Sequence, residues 1–185
     1  MAIQNSADQF DVEVRWKPFF LRPQTPLEGL DYGDAVRAGI VPGGTAEVPY
    51  WRSREARAQE LGINMGGRCD RFPNSIWAHR LLHWALTCDP AKQHDLKGRI
   101  FAAYYGDNVF VGDVDVLARL AGEAGYDAAK AKAYLLSDAG TAEVNREVMQ
   151  ASRDGVRGVP HFKIGSQTLS GAQAPAAFVA AFEQA

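Results

Sequence analysis

Cysteine is scarce in this chain: Cys69 and Cys88 are the only two in 185 residues, and no Cys-x-x-Cys pair occurs. Two thiols are too few for a disulfide framework. At 19 positions apart, they also lack the adjacent sulfur that lowers a redox nucleophile's pKa. Long apolar runs are missing too. None approaches the ~20 residues that span a bilayer, so no transmembrane helix is expected. Charge of one sign is not in excess, with a formal net charge of -2. Neither nucleic acid nor a charged membrane surface is therefore expected as a partner. The opening Met1-Ala2-Ile3-Gln4-Asn5-Ser6-Ala7-Asp8 has neither the basic nor the apolar region of a secretory signal. The expected setting is the cytoplasm, where the cysteines stay reduced. Phosphate-binding loops are absent as well: Gly43-Gly44 and Gly66-Gly67 are not followed by Lys-Ser or Lys-Thr. No cofactor is expected.

What remains is an ordinary globular composition, 46% hydrophobic and 23% charged. A chain of this size buries roughly 70% of its unfolded surface and needs no covalent staple.

Along the chain, Val12, Val14 and Trp16 alternate with Asp11, Glu13, Arg15 and Lys17. That period of two predicts a half-buried strand within residues 10–21. Residues 29–50, with Gly43-Gly44 at their centre and Pro42 and Pro49 beside them, read as a long loop. Ser53 is expected to cap a short helix ending near Gly62, and residues 62–73 read as irregular. Asn74 or Ser75 then caps a helix to about Cys88, with Trp77, Leu81, Trp84 and Cys88 on one face. Asp89-Pro90 opens another helix reaching about Tyr105. Asp113 caps the next, which closes near Gly125. Asp127 and Thr141 open two more, the second running to about Arg153. Strands return only after these helices, in Val159-Pro160-His161-Phe162-Lys163-Ile164 and the segment up to Ser170. Phe178, Val179 and Phe182 mark a terminal helix.

Three segments carry a resemblance. They are Val12-Glu13-Val14-Arg15-Trp16-Lys17-Pro18-Phe19-Phe20-Leu21-Arg22-Pro23; Asn74-Ser75 with Ala78-His79-Arg80-Leu81; and Gly155-Val156-Arg157-Gly158-Val159-Pro160-His161-Phe162 with Ser170-Gly171-Ala172-Gln173. In order and spacing the chain resembles the DsbA-like oxidoreductases of the FrnE type, members of the thioredoxin superfamily. The fold so implied is α/β, thioredoxin-like, with a large α-helical insertion. It makes residues 1–185 a single domain and 53–154 the insertion. In that family a first strand and a helix bearing Cys-x-x-Cys precede the part seen here, and residues 1–9 resemble the tail of that helix. The resemblance therefore implies that the gap closes by rearrangement, that another chain fills it, or that the natural protein has an upstream segment, the last being the expectation. Residues 11–17 and 161–165 would be the strands flanking it. Leaving their backbone groups unpaired and buried would cost about 1–3 kcal/mol each.

The resemblance also assigns a site. Val159-Pro160 is expected to be cis, with Val159 offering its main chain to an extended substrate and Gly158 permitting close approach. Gly158, Val159 and Pro160 are thus the expected substrate-binding residues, and an extended peptide or thiol the expected substrate near Pro160. From the residues alone, an ordinary trans proline at a strand start is the default, because only about 5–6% of such bonds are cis.

Other candidates are weaker. Cys69 lies beside Arg68 and Arg71, whose charges could favour a thiolate. Cys88 reads as a buried apolar filler. His79 and His83 have one-face metal spacing, but Arg80 stands where a metalloprotease motif has its carboxylate, so no metal is expected. His161 follows the proline and reads as a sheet-surface residue; His94 reads as exposed. No catalytic residue is assigned within the chain.

Three functions follow. The first is a DsbA-family, FrnE-like thiol–disulfide oxidoreductase domain, redox-inactive in this form. The others are a non-catalytic peptide- or partner-binding protein and a relative of glutathione-dependent isomerases or kappa-type transferases. Nothing in the sequence sets an oligomeric state.

Overall fold

The computed structural model describes residues 9–41, 47–66 and 69–185, without the side chains of residues 47 and 48. Its elements are β1 (Leu30–Asp31), α1 (Tyr32–Arg37), α2 (Glu47–Glu60), β2 (Arg71–Phe72), α3 (Ile76–Cys88), α4 (Gln93–Phe101), α5 (Val114–Glu123), α6 (Ala128–Leu136), α7 (Thr141–Arg153), β3 (His161–Ile164), β4 (Gln167–Ser170) and α8 (Pro175–Phe182). The fold is thioredoxin-like and dominated by its helical insertion.

Local chemistry explains most helix starts. Asp113 accepts from the Asp115 and Val116 amides at 2.7 and 3.0 Å. Asp127 accepts from the Lys130 amide at 3.0 Å. Each satisfies donors that the first helical turn leaves unpaired. Asn74, rather than Ser75, supplies the side chain at α3, accepting from the Ile76 amide at 2.9 Å. The core lies among α3, α4, α5 and α6, where Leu81, Leu96, Leu117 and Leu135 are fully buried. Full burial of a leucine side chain contributes roughly 1.5–3 kcal/mol, so these four anchor the insertion.

Several expectations need correction. The segment through residues 11–17 is extended, and its exposure alternates as the sequence alternates, yet it belongs to no strand ladder among the described residues. Alternation reports which face is buried, not whether a neighbour lies alongside. Residues 29–50 are not one long loop. They hold β1, α1 and the start of α2, although Gly43-Gly44 lies outside the described residues. Asp31 starts α1 by accepting from the Asp34 amide at 2.8 Å. Pro49 sits in the first turn of α2, where a missing N–H breaks no helical bond. Ser53 is therefore inside α2, not at its start, and its hydroxyl donates to the Tyr50 carbonyl at 2.9 Å. The irregular stretch 62–73 contains β2, paired antiparallel to β1 through Leu30↔Phe72 and Asp31↔Arg71. Thr141 is the first residue of α7; the cap position is Gly140, at φ 76°.

β3 and β4 form a separate antiparallel hairpin, in register His161↔Ser170 through Ile164↔Gln167. The described strands thus make two two-stranded sheets. Phe162 packs edge-on against Phe178 of α8 at 4.8 Å, and Phe10 meets Phe182 at 5.6 Å. Both the hairpin and the extended N-terminal segment are thereby tied to α8.

Candidate substrate groove

The groove begins where α7 ends. The Gly155 and Val156 amides donate back to the Ser152 and Ala151 carbonyls at 3.2 and 3.0 Å. Gly155 takes φ +83°, a left-handed value that closes helices at low cost only for glycine. The chain then runs through Arg157 and Gly158 to the Val159–Pro160 bond, which is cis. Beyond the β4 strand, Gly171 donates its amide to the Pro160 carbonyl at 2.8 Å.

That last bond fixes which way β3 presents its main chain. Antiparallel ladders alternate between hydrogen-bonded and non-hydrogen-bonded pairs. With Pro160 bonded to Gly171, Phe162 and Ile164 also face β4, and the amides and carbonyls of His161 and Lys163 face the opposite edge. β4 is the only strand paired with β3 among the described residues. At the same end, Val159 is 52% exposed. An open cleft of about 310 Å³ is lined by Gly155, Arg157, Gly158, Val159, Pro160, Ser170 and Gly171. Its geometry suits main-chain recognition of an extended ligand: a strand edge with unused donors and acceptors, next to an exposed apolar side chain. Across the hairpin, His161 Nδ1 lies 3.0 Å from Ser170 Oγ, and Gln173 Nε2 donates to the Ser170 carbonyl at 2.7 Å.

The remaining candidates stand elsewhere. Cys88 is exposed, not a buried filler, because α3 ends at that residue and carries it past the core. Cys69 is buried, and neither thiol lines the cleft. Arg71 places its guanidinium over the Phe110 ring at 5.0 Å; Arg68 lies outside the described residues. Beside Cys69, Tyr104 has its phenol pushed well above the usual range, first by burial and then by Tyr105 and Cys69. His79 packs on Phe20 at 5.5 Å, and burial pulls its pKa down to about 4. His83 has a buried Nδ1 with no hydrogen-bond partner among the described residues. The described residues contain no group of three or more His, Cys, Asp or Glu side chains arranged to hold a metal. His94 is exposed as expected, and its Nδ1 accepts from Trp16 Nε1 at 3.3 Å.

Two polar anchors escaped the sequence reading. Gln93 is fully buried and Arg80 nearly so, at 3% exposure. The signal for Arg80 was a lone cation between Trp77, Leu81 and Trp84; for Gln93 there was none.

The hairpin, the groove and the helical insertion define a thioredoxin-fold protein of the helix-inserted class. The chain belongs to the DSBA-like thioredoxin domain family, whose model matches residues 1–183. It is 29% identical over 165 residues to the uncharacterized protein YwbO of Bacillus subtilis (strain 168), spanning 88% of this chain and 76% of that protein. Its structure is similar to that of a probable DsbA oxidoreductase from Streptomyces coelicolor, with TM-score 0.84 and 25% identity over 99% of this chain and 81% of that one. A 2-hydroxychromene-2-carboxylate isomerase shares the fold, at TM-score 0.65 and 18% identity, over 91% of this chain and 79% of the isomerase. No helix among the described residues is long and apolar enough to cross a membrane.

Proposed function

We propose that this DSBA-like chain is a FrnE-type domain that holds an extended peptide or a thiol-bearing substrate against Gly158, Val159 and Pro160. The same reading treats residues 1–185 as one domain with 53–154 inserted. The observation that carries it is the cleft at the open edge of β3, where main-chain groups of His161 and Lys163 stand unpaired among the described residues beside exposed Val159. Thiol–disulfide exchange needs a thiolate to attack the substrate disulfide and a second thiol to release the mixed disulfide. Cys69 is buried and Cys88 is alone at the end of α3. These 185 residues therefore supply the substrate groove without the exchange chemistry.

The test has two arms. In an insulin-reduction assay with glutathione, the chain is expected to show no rate above the uncatalysed background. In parallel, amide NMR with an unstructured Thr-Val peptide is expected to shift Gly158, Val159 and His161 selectively. Turnover above background overturns the inactivity. An unchanged spectrum at millimolar peptide overturns the groove.

A further inference from the structure

Three residues of the groove lining are glycines with open space where a side chain would stand. A Cβ at Gly155, Gly158 or Gly171 would meet nothing within 4 Å. Backbone left bare in this way is accessible to a ligand. Arg157 stands in the same lining and is exposed. Among the described residues its guanidinium makes no ion pair, hydrogen bond or ring contact. Exposed Arg15 and Arg57 pair with Glu13 and Glu60, whereas Arg52 and Arg153 are likewise without a partner among the described residues; Arg157 differs from these two in lining the cleft.

The surroundings are also short of negative charge. Residues 153–171 carry Arg153, Arg157 and Lys163 against one carboxylate, Asp154, in a chain whose net charge is -2. Asp154 Oδ1 accepts from Gln150 Nε2 at 2.8 Å, which holds it on α7. Arg157 is thus the one charged side chain in the cleft lining, and it has no partner among the described residues.

We infer that the groove selects extended peptides bearing a carboxylate, and that Arg157 is the specificity-determining residue. This rests on the groove reading above and names the class of substrate it favours. Main-chain pairing along the β3 edge supplies sequence-independent affinity. The guanidinium fork adds two parallel donors matched to a carboxylate, which a neutral amide cannot equal. The carboxylate can come from a Glu or Asp side chain or from a peptide C-terminus. Because Arg157 is exposed, the gain is modest, about three- to tenfold in affinity.

The experiment uses the full chain and fluorescein-labelled eight-residue Thr-Val peptides. One Glu is walked through successive positions, each peptide is matched by its Gln counterpart, and a separate pair compares a free C-terminus with a C-terminal amide. Anisotropy gives Kd for the wild type and for Arg157→Gln, and amide NMR reports whether Gly158 and Val159 shift. The expected result is tighter binding of a Glu or free-acid peptide by about three- to tenfold, abolished in Arg157→Gln and weakened by added salt. Which of the two comparisons shows the gain identifies the carboxylate's source. Equal binding of acidic and neutral peptides, or a preference that survives Arg157→Gln, overturns the inference and leaves the groove standing. No binding and no shift for any peptide overturns both.

Discussion

The Gln93 carboxamide grips both main-chain groups of Trp16: its Oε1 accepts from the Trp16 amide at 3.0 Å, and its Nε2 donates to the Trp16 carbonyl at 3.2 Å. One side chain thereby does for Trp16 what a neighbouring strand does for a ladder residue. The same Nε2 reaches the Leu82 carbonyl at 3.0 Å, so α3, α4 and the extended N-terminal segment meet at one buried amide. Gln93→Leu is expected to lower unfolding free energy by about 1–3 kcal/mol, since it strands buried partners without replacing their bonds. Urea denaturation followed by tryptophan fluorescence checks this. A midpoint unchanged from wild type would show that the segment is not held here.

Arg80 closes the end of α6. Its guanidinium donates to the carbonyls of Tyr134 at 3.0 Å, Leu135 at 3.1 Å and Ala139 at 2.8 Å, and also to that of Ser137. No carboxylate of the described residues takes part. The acceptors include carbonyls that a helix C-terminus leaves unpaired, where the helix dipole favours a cation. The rings of Trp77 and Tyr134 lie 5.0 and 5.5 Å from the charge. Arg80→Met is expected to cost about 3–5 kcal/mol, with Arg80→Lys recovering part, because an ammonium cannot span the same carbonyls. A loss below about 1 kcal/mol in chemical denaturation would contradict this.

Gly140 is irreplaceable for two separate reasons. It takes φ +76°, and a Cβ there would lie 1.6 Å from Tyr134 Oη and 2.8 Å from Cζ. Gly140→Ala is expected to lower stability by about 1–3 kcal/mol. Tyr134→Phe alone is expected to be nearly neutral, since the buried hydroxyl has no hydrogen-bond partner among the described residues. In that background part of the alanine cost should disappear. Additive losses in the double variant, measured by thermal unfolding, would show that the two residues do not press on each other.

His79 makes stability depend on pH. Burial lowers its pKa from 6.5 to about 4, against a smaller opposing hydrogen bond to the Phe19 backbone. The folded ring stays neutral where the unfolded ring already binds a proton. Its contribution is therefore complete above pH 6.5 and declines as pH falls toward about 4. His79→Phe, which keeps an aromatic ring against Phe20, should flatten the stability profile across that window. Parallel profiles for wild type and variant would remove His79 from the account.

Helix starts were legible because capping is local. Asp113 and Asp127 need only their own next few amides, so their residue types suffice. The glycine-and-proline reading failed at residues 29–50 because Pro49 falls in a first turn, where proline is tolerated. Cys88 was misplaced for a related reason. Its spacing from Trp84 puts it on the apolar face, but the helix outruns the core at that point.

The groove was legible only as a string of residue types. Gly158, Val159 and Pro160 stand in the sequence, yet the edge orientation of β3 depends on the Gly171-to-Pro160 bond that closes the hairpin. Arg157 could not be told from any surface arginine until its place in the cleft lining was seen.

By itself, then, the sequence determined most helices of the insertion and the hairpin at 161–170, because periodicity, capping and turn chemistry act over a few residues; the family was legible separately, through the resemblance of three motifs in order. The tertiary structure alone decided that Trp16 pairs with a glutamine side chain rather than with a strand among the described residues, that Arg80 seals a helix end and that Arg157 faces an open groove. Those outcomes join residues far apart in the chain, and no short-range preference encodes which distant group fills a hydrogen bond.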